Sequence, residues 1–434
     1  MTDQPPPDDQ NPFRGTPFEQ FFSGGPPDLG QLFSQLQSMM QPYEGPLNWD
    51  LAVDTARKTV AQSPDPTPSR SQRDEIADAV RLADHWLDET TDFPSGVTSS
   101  AAWSRAEWVV GTTDVWKVLV EPIAASSVGA LGNALPAEAA TMGGPILAML
   151  GKAVGAMLAT QVGSGLGALA GDVVSASDVG LPLASPGTAA LVPANVERFA
   201  EGLDVSESDV LLYLALREAA HQRLFAGVPW LRDHLIGAVT DYAGGIEINT
   251  ERIQQTMEER LSGVDPSDLA GMHELMEGGL FDIPRSPQQQ AALQRLEVAL
   301  ALVEGWVDEV VGQATADRMP TAAKLQEAVR RRRAAGGPAE EAFASLVGLE
   351  LRPRRLRDAS TLWGSLRTRQ GAEARDGVWM SPHLLPTDAD LDDPLGFREG
   401  SEAPTELTGD DFDAELRDLL DQGRGGAADS APGE

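Results

Sequence analysis

Apolar residues recur at three- and four-residue spacing along most of this chain, the periodicity of helices that bury one face. Amphipathic stretches fall near residues 47–60, 71–90 and 99–120 and carry Trp86, Trp103, Trp108 and Trp116, which the pattern places as core anchors. From Pro145 to Ala170 the pattern changes to an apolar run with small residues every fourth position, at Gly151, Gly155, Ala159, Gly163, Gly167 and Gly171. On one helix these form a ridge that lets another backbone approach closely. The run is long enough for a bilayer span of about 20 residues. Lys152 and Gln161 interrupt it, however, and it lacks flanking aromatic and cationic belts. The expectation is a buried, tightly packed helix or helix pair rather than a membrane segment.

Capping signals delimit the rest. Residues 181–193 are a Pro/Gly/Ser-rich connector, and Ser206 with Asp209 then starts a helix expected over about 207–225. Pro229 opens another that closes near Gly244 and Gly245, Asp265 a short one that Gly278 ends, Ser286-Pro287 a long one to about Thr315, and Pro320 one that runs into Arg330–Arg333. Strand signals are few, the best of them at residues 245–248 and 377–380. The predicted class is all-α with at most a minor β-hairpin. Residues 1–45, rich in Pro, Gly and Gln, and the acidic residues 386–434 are expected to be largely disordered tails around one helical domain at 46–385.

Composition removes several kinds of chemistry. With 33 Lys+Arg against 66 Asp+Glu, the net charge of −33 argues against a nucleic-acid partner. The absence of Cys rules out disulfides, thiolate metal sites and cysteine nucleophiles, leaving five His and the carboxylates as metal ligands. The first residues lack a basic stretch followed by an apolar one, so the expected location is the cytoplasm.

The run Leu214–His221 contains Arg217-Glu218-Ala219-Ala220-His221, one residue from the zinc-protease signature His-Glu-x-x-His. In that signature two His four apart on a helix hold zinc and the Glu polarises its water. Arg217 takes the place of the first ligand and, always protonated, offers no lone pair. Downstream, Glu304 and Asp308 lie four apart within the apolar helix interior from Leu300 to Val311, where charge is costly unless paired or metal-bound. Gly305 beside them weakens that helix unless something approaches closely there.

These residues, with Val228–Arg232 and Leu302–Asp308, resemble the zincin-like metallopeptidase type 2 family over about residues 70–385. Its members are actinobacterial proteins described as zinc-dependent metalloproteases or hydrolases, some associated with deazaflavin-cofactor biosynthesis. The resemblance implies a zincin-like core, Glu218 as catalytic base, His221 as a zinc ligand, Glu304 or Asp308 as a further ligand, and a peptide or small molecule as substrate. The residues themselves admit several readings. One is a zinc site of His221, Glu304 and Asp308 with Glu218 activating water. Another is a catalytically inactive pseudo-hydrolase, a binding or scaffold protein in which Arg217 pairs with Glu304 or Asp308. A third is a carboxylate-bridged site of another metal, since Glu218-x-x-His221 has the spacing of helical di-iron proteins. The last is a polar interface between helices.

Other candidates carry less. His273-Glu274-x-x-Glu277 reads as a solvated helix end, and His234, beside Leu231 and Leu235, as a packed histidine. His85 and His383 have no companions that suggest chemistry. Arg330–Arg333 with Arg352, Arg354, Arg355 and Arg357 are the one basic concentration, read as neutralising the chain's own acidic surface or a partner's.

Overall fold

A computed structural model describes residues 43–134, 144–244, 286–334 and 355–398. The expected tail before residue 43, the short helix at 265–278, the His273 motif, the strand signal at 245–248, Arg352 and Arg354 lie outside these residues. The described part of the chain is helical, as the periodicity predicts.

The first layer is built on the small-residue ridge. Helix α1 (Trp49–Val60), capped by the Asn48 side chain, lies along α4 (Gly144–Ala170). A Cβ at Gly163 would sit 2.3 Å from the Ala52 carbonyl oxygen, and one at Gly167 2.5 Å from the Thr59 Cβ. The ridge therefore seats the backbone of α1. Among the described residues no helix is long and apolar enough to cross a membrane.

Helix α2 (Arg70–Leu87) begins with a capping box between Ser69 and Gln72 and packs on the central helix α6 (Glu207–Gly227). Helix α3 (Arg105–Ala134) starts where Ser104 and Glu107 exchange hydrogen bonds across the first turn. Its Trp108 and Trp116 are fully buried, while Trp86 and Trp103 pack against the core from its edge.

The residues just before α3, expected as helix, instead form strand β1 (Ser99–Ala102). It pairs in parallel with β2 (Thr188–Leu191), which lies inside the predicted connector. The observed β element is thus a two-stranded parallel pair and not a hairpin. Ser-Ser-Ala-Ala and Thr-Ala-Ala-Leu carry too few β-branched or alternating residues to announce a strand. The second strand signal also resolves differently. Val378–Met380 is a 3-10 turn whose Trp379 stacks on Trp363 at 5.4 Å and whose carbonyl accepts the Trp230 indole N–H at 2.9 Å.

After the short α5 (Pro193–Ala200), helices α6, α7 (Pro229–Gly244) and α8 (Pro287–Thr315) follow the predicted boundaries closely. Helix α9 (Ala322–Ala334) starts just after Pro320, and α10 (Leu356–Gln370) packs across α8. The chain then runs through α11 (Ala372–Gly377) to α12 (Asp388–Asp392), where the acidic C-terminal region begins. There Leu391 is buried, and Arg355 binds Asp388 and Asp392.

Helix α8 is buried on nearly every side, and Gly305 explains how α10 reaches it. A Cβ on Gly305 would lie 2.5 Å from the Ala359 Cβ and 2.7 Å from the Ser360 backbone nitrogen. Overpacking of that kind costs about 1–3 kcal/mol, more than the roughly 1 kcal/mol that alanine gains over glycine in a helix. Gly237, in α7, has nothing within 4 Å of its Cβ position. Gly305→Ala should therefore lower, and Gly237→Ala raise, the midpoint of thermal unfolding. A Gly305→Ala protein as stable as the parent would refute the close α8–α10 approach.

Candidate functional site

Five elements meet around the carboxylates of α8, α10 among them through Ser360. Helix α6 starts at Ser206, whose hydroxyl accepts from the Asp209 backbone N–H. From Tyr213 to Leu224 all its residues are buried, so Arg217, Glu218 and His221 lie within the core. Helix α8 starts with a second capping box, between Ser286 and Gln289, and carries Glu304 and Asp308, each 1% exposed. Helix α9 contributes Arg330 and Arg333. The loop after α4 contributes Asp178 and Gly180.

The structure brings Arg217, His221, Glu304 and Asp308 together. Arg217 donates to Glu304 Oε2 at 2.6 Å, and its other terminal nitrogen lies 3.6 Å from Asp308 Oδ1. His221 Nε2 is 3.0 Å from Glu304 Oε1, and its Nδ1 is 2.8 Å from the Arg217 carbonyl oxygen. Both ring nitrogens thus face acceptor oxygens. Arg333 donates to Glu304 Oε1 at 2.9 Å, so Glu304 is held by two guanidinium groups and an imidazole. Gly180, at φ +78°, brings its backbone beside the same carboxylate, where a Cβ would stand 3.1 Å from Oε1.

Asp308 is bound through one of its two oxygens. Its Oδ2 accepts from Arg330, from Gln326 at 3.0 Å and from Ser360 at 2.9 Å. Asp178 pairs with Arg332 at 2.7 Å and accepts from the Val174 backbone N–H at 2.9 Å. Burial raises the pKa of Glu304, but Arg333, His221 and Arg217 outweigh it and bring the carboxyl down to about 2. Asp178 is lowered by Arg332 and Arg333 against its own burial.

Glu218 has a separate environment. Its carboxylate accepts from the Ser177 backbone N–H at 3.0 Å, the Ser177 hydroxyl at 3.3 Å and the Gln222 amide at 3.0 Å. Burial dominates and raises its pKa despite the neighbouring His221. The remaining histidines sit elsewhere. His234 meets the Trp230 ring edge-on at 5.4 Å, and His85 lies near Asp88 on the surface.

Sequence reasoning did not place Arg330, Arg333, Asp178, Gln326 or Ser360 at this site. Neutralisation of the chain's own acids was the expected role of the Arg330–Arg333 run, and Arg330, Arg332 and Arg333 fill it with buried or half-buried acids rather than surface ones. The signal available was the run's position at the C-terminal end of a helix connected to α8 by a short turn.

The profile of a family described as zincin-like metallopeptidases matches residues 47–397. The chain belongs to the zincin-like metallopeptidase family. The fold is also similar to the crystal structure of a Chloroflexus aurantiacus protein provisionally described as a hydrolase with a novel fold. The match has a TM-score of 0.56 and 19% identity, over 82% of this chain and all of that one. No curated protein matches the chain.

Zinc is the metal that membership in this family implies, and the arrangement can be tested for it. Both Glu304 oxygens and the imidazole of His221 are engaged with one another or with the guanidinium groups of Arg217 and Arg333. A dication placed there would face Arg217, Arg330 and Arg333 at short range. Among the described residues no three His, Asp or Glu side chains converge as a metal site. The residues present do not fit zinc.

The charge network sets the acid stability. Because the folded pKa of Glu304 lies below the ordinary 4.5, its contribution is complete above about pH 4.5 and disappears as the pH falls towards 2. Glu218, raised in the fold, has the opposite sign: its contribution is present at low pH and is lost as the pH rises through its folded pKa. Glu304→Gln should cost a few kcal/mol at neutral pH and flatten the fall in urea-unfolding midpoint between pH 4.5 and 2. Parallel pH profiles for parent and variant would show that Glu304 is not held in this way.

Proposed function

We propose that this chain is a pseudo-hydrolase, a non-catalytic member of its family that serves as a binding or scaffold protein. The observation that carries the reading is the 2.6 Å bond from Arg217 to Glu304, at the position where the family signature has its first zinc-binding histidine. A fixed cation there compensates the buried carboxylates with no metal required. The three arginines around Glu304 and Asp308 neutralise the pair from two helices.

The same reading takes the protein as cytoplasmic and its partner as a peptide or small molecule. The net charge of −33 supports the exclusion of nucleic acid.

Metal analysis tests this most directly. Protein purified without added zinc, and again after zinc titration and dialysis, should contain far less than one zinc per chain. Arg217→His, which spells the full His-Glu-x-x-His signature, should raise zinc retention over the parent. Stoichiometric zinc in the parent, lost in both His221→Ala and Glu304→Gln, would overturn the proposal in favour of a zinc hydrolase with His221, Glu304 and Asp308 as ligands. Peptide hydrolysis abolished by Glu218→Gln would then make Glu218 its base.

A further inference from the structure

Helix α9 is fastened differently from the other helices around the carboxylates. Leu325 and Val329 are its only buried apolar side chains among the described residues. Helix α10, by comparison, buries Leu356, Ala359, Leu362, Trp363 and Leu366 and meets α8 closely at Gly305. Under the first turns of α9 the packing is open. A cavity of about 210 Å³ lies between Ala322, Ala323 and Gln326 on its side and Tyr213, Gly312 and Thr315 on α6 and α8. Side chains that border such a space lose the contacts they would make across it.

The other attachments of α9 are polar. Gln326 and Arg330 bind Asp308, Arg333 binds Glu304 and the Asp178 carbonyl oxygen, and Arg332 binds the Asp178 carboxylate and the Asp172 carbonyl oxygen. Arg330 and Arg332 are 24% exposed and Arg333 12%, so water reaches all three, and Arg330 leaves its Nε buried without a hydrogen-bond partner. Separating an ion pair returns the hydration of both partners, so such pairs resist separation weakly, whereas deleting one partner strands the other. The two ends of α9 are also unequal. At its start Met319 is buried, Thr321 donates to Asp209 at 2.8 Å and Lys324 to the Asp204 carbonyl oxygen at 3.1 Å. Beyond Val329 the helix continues as Arg330–Arg333, with no apolar anchor among them.

We propose that α9 is a hinged lid. It turns as a unit about Met319–Thr321, withdraws Arg330 and Arg333, and opens Glu304, Asp308 and His221 to solvent while α6, α8 and α10 stay packed. Most of its residues are strong helix formers, which lets it move as a helix. A few residues at the end of an element suffice to absorb such a turn. In the open form Arg217 is the one guanidinium left on the two carboxylates. The inference rests on the proposed function in taking arginines, and not a metal, as the partners that the carboxylates lose.

The chain has no cysteine, so one introduced thiol reports the lid. Val329→Cys places it on the inner face of α9, and Val307→Cys, in the core of α8, is the control. Opening of a part of a fold is less costly than unfolding of the whole, so in the full chain a chromogenic disulfide reagent should label Val329→Cys roughly 100-fold faster than Val307→Cys. Its rate should also depend less on urea below the unfolding transition. Hydrogen exchange of the unsubstituted chain gives the same reading with no variant to fold: the amides of Leu325–Arg330 should exchange together, ahead of those of Val303–Val310. Equal labelling rates, equal protection of the two helices, or protection that declines gradually from Leu325 to Arg333, as fraying would give, would each overturn the lid. Zinc content of the same preparation separates the two claims: the lid can fail in zinc-free protein and leave the proposed function standing, and stoichiometric zinc would overturn the proposed function whatever the exchange gives.

Discussion

Two carboxylates buried four residues apart on one apolar helix are the constraint around which this molecule is arranged. Taking Glu304 and Asp308 out of water costs several kcal/mol each unless cations and donors replace the solvent. The compensation arrives from three directions: Arg217 and His221 on α6, Arg330, Arg333 and Gln326 on α9, and Ser360 on α10. Each donor fixes the position of its own helix relative to α8. Charge satisfaction therefore does what a purely apolar core does poorly, since it specifies one relative orientation of the packed helices and penalises the others.

Small residues do the complementary work. At Gly163 and Gly167 the backbone of α1 comes within contact of α4, and at Gly305 the backbone of α10 comes within contact of α8. The helices that carry the charges can then lie near enough for arginine and carboxylate to meet directly. Close approach and ion pairing are parts of a single arrangement.

The helices were legible because the signals that mark them are local. Ser206, Ser286, Pro229 and the glycine ridge act within one turn or one helix face, and α6, α7, α8 and α4 follow them. The two pairs within the site were legible for the same reason, because Arg217 and His221, and Glu304 and Asp308, are four apart in sequence. What joins those two pairs is tertiary, and so is the arrival of Arg333 at Glu304 from 29 residues away. The β1–β2 pair was hidden because its alanines and serines carry no alternation, and its stability comes from burial on the β2 side. Val378–Met380 has the apolar residues of a strand but is too short to be one between Gly377 and Pro382, and the Trp379–Trp363 stack holds it instead.

Asp376 has a bearing on how the chain reaches this state. Its carboxylate accepts from the Thr91 hydroxyl at 2.6 Å, the Asp92 backbone N–H at 3.1 Å and the Trp306 indole at 2.9 Å, joining segments 285 residues apart in sequence. During synthesis, Thr91 and Trp306 leave the ribosome well before Asp376 exists. Until then the region around α2 and the middle of α8 lacks its closing contact. Assembly of the core is thus a late event of high contact order, and the emerging chain depends on its solubilising negative charge while it waits.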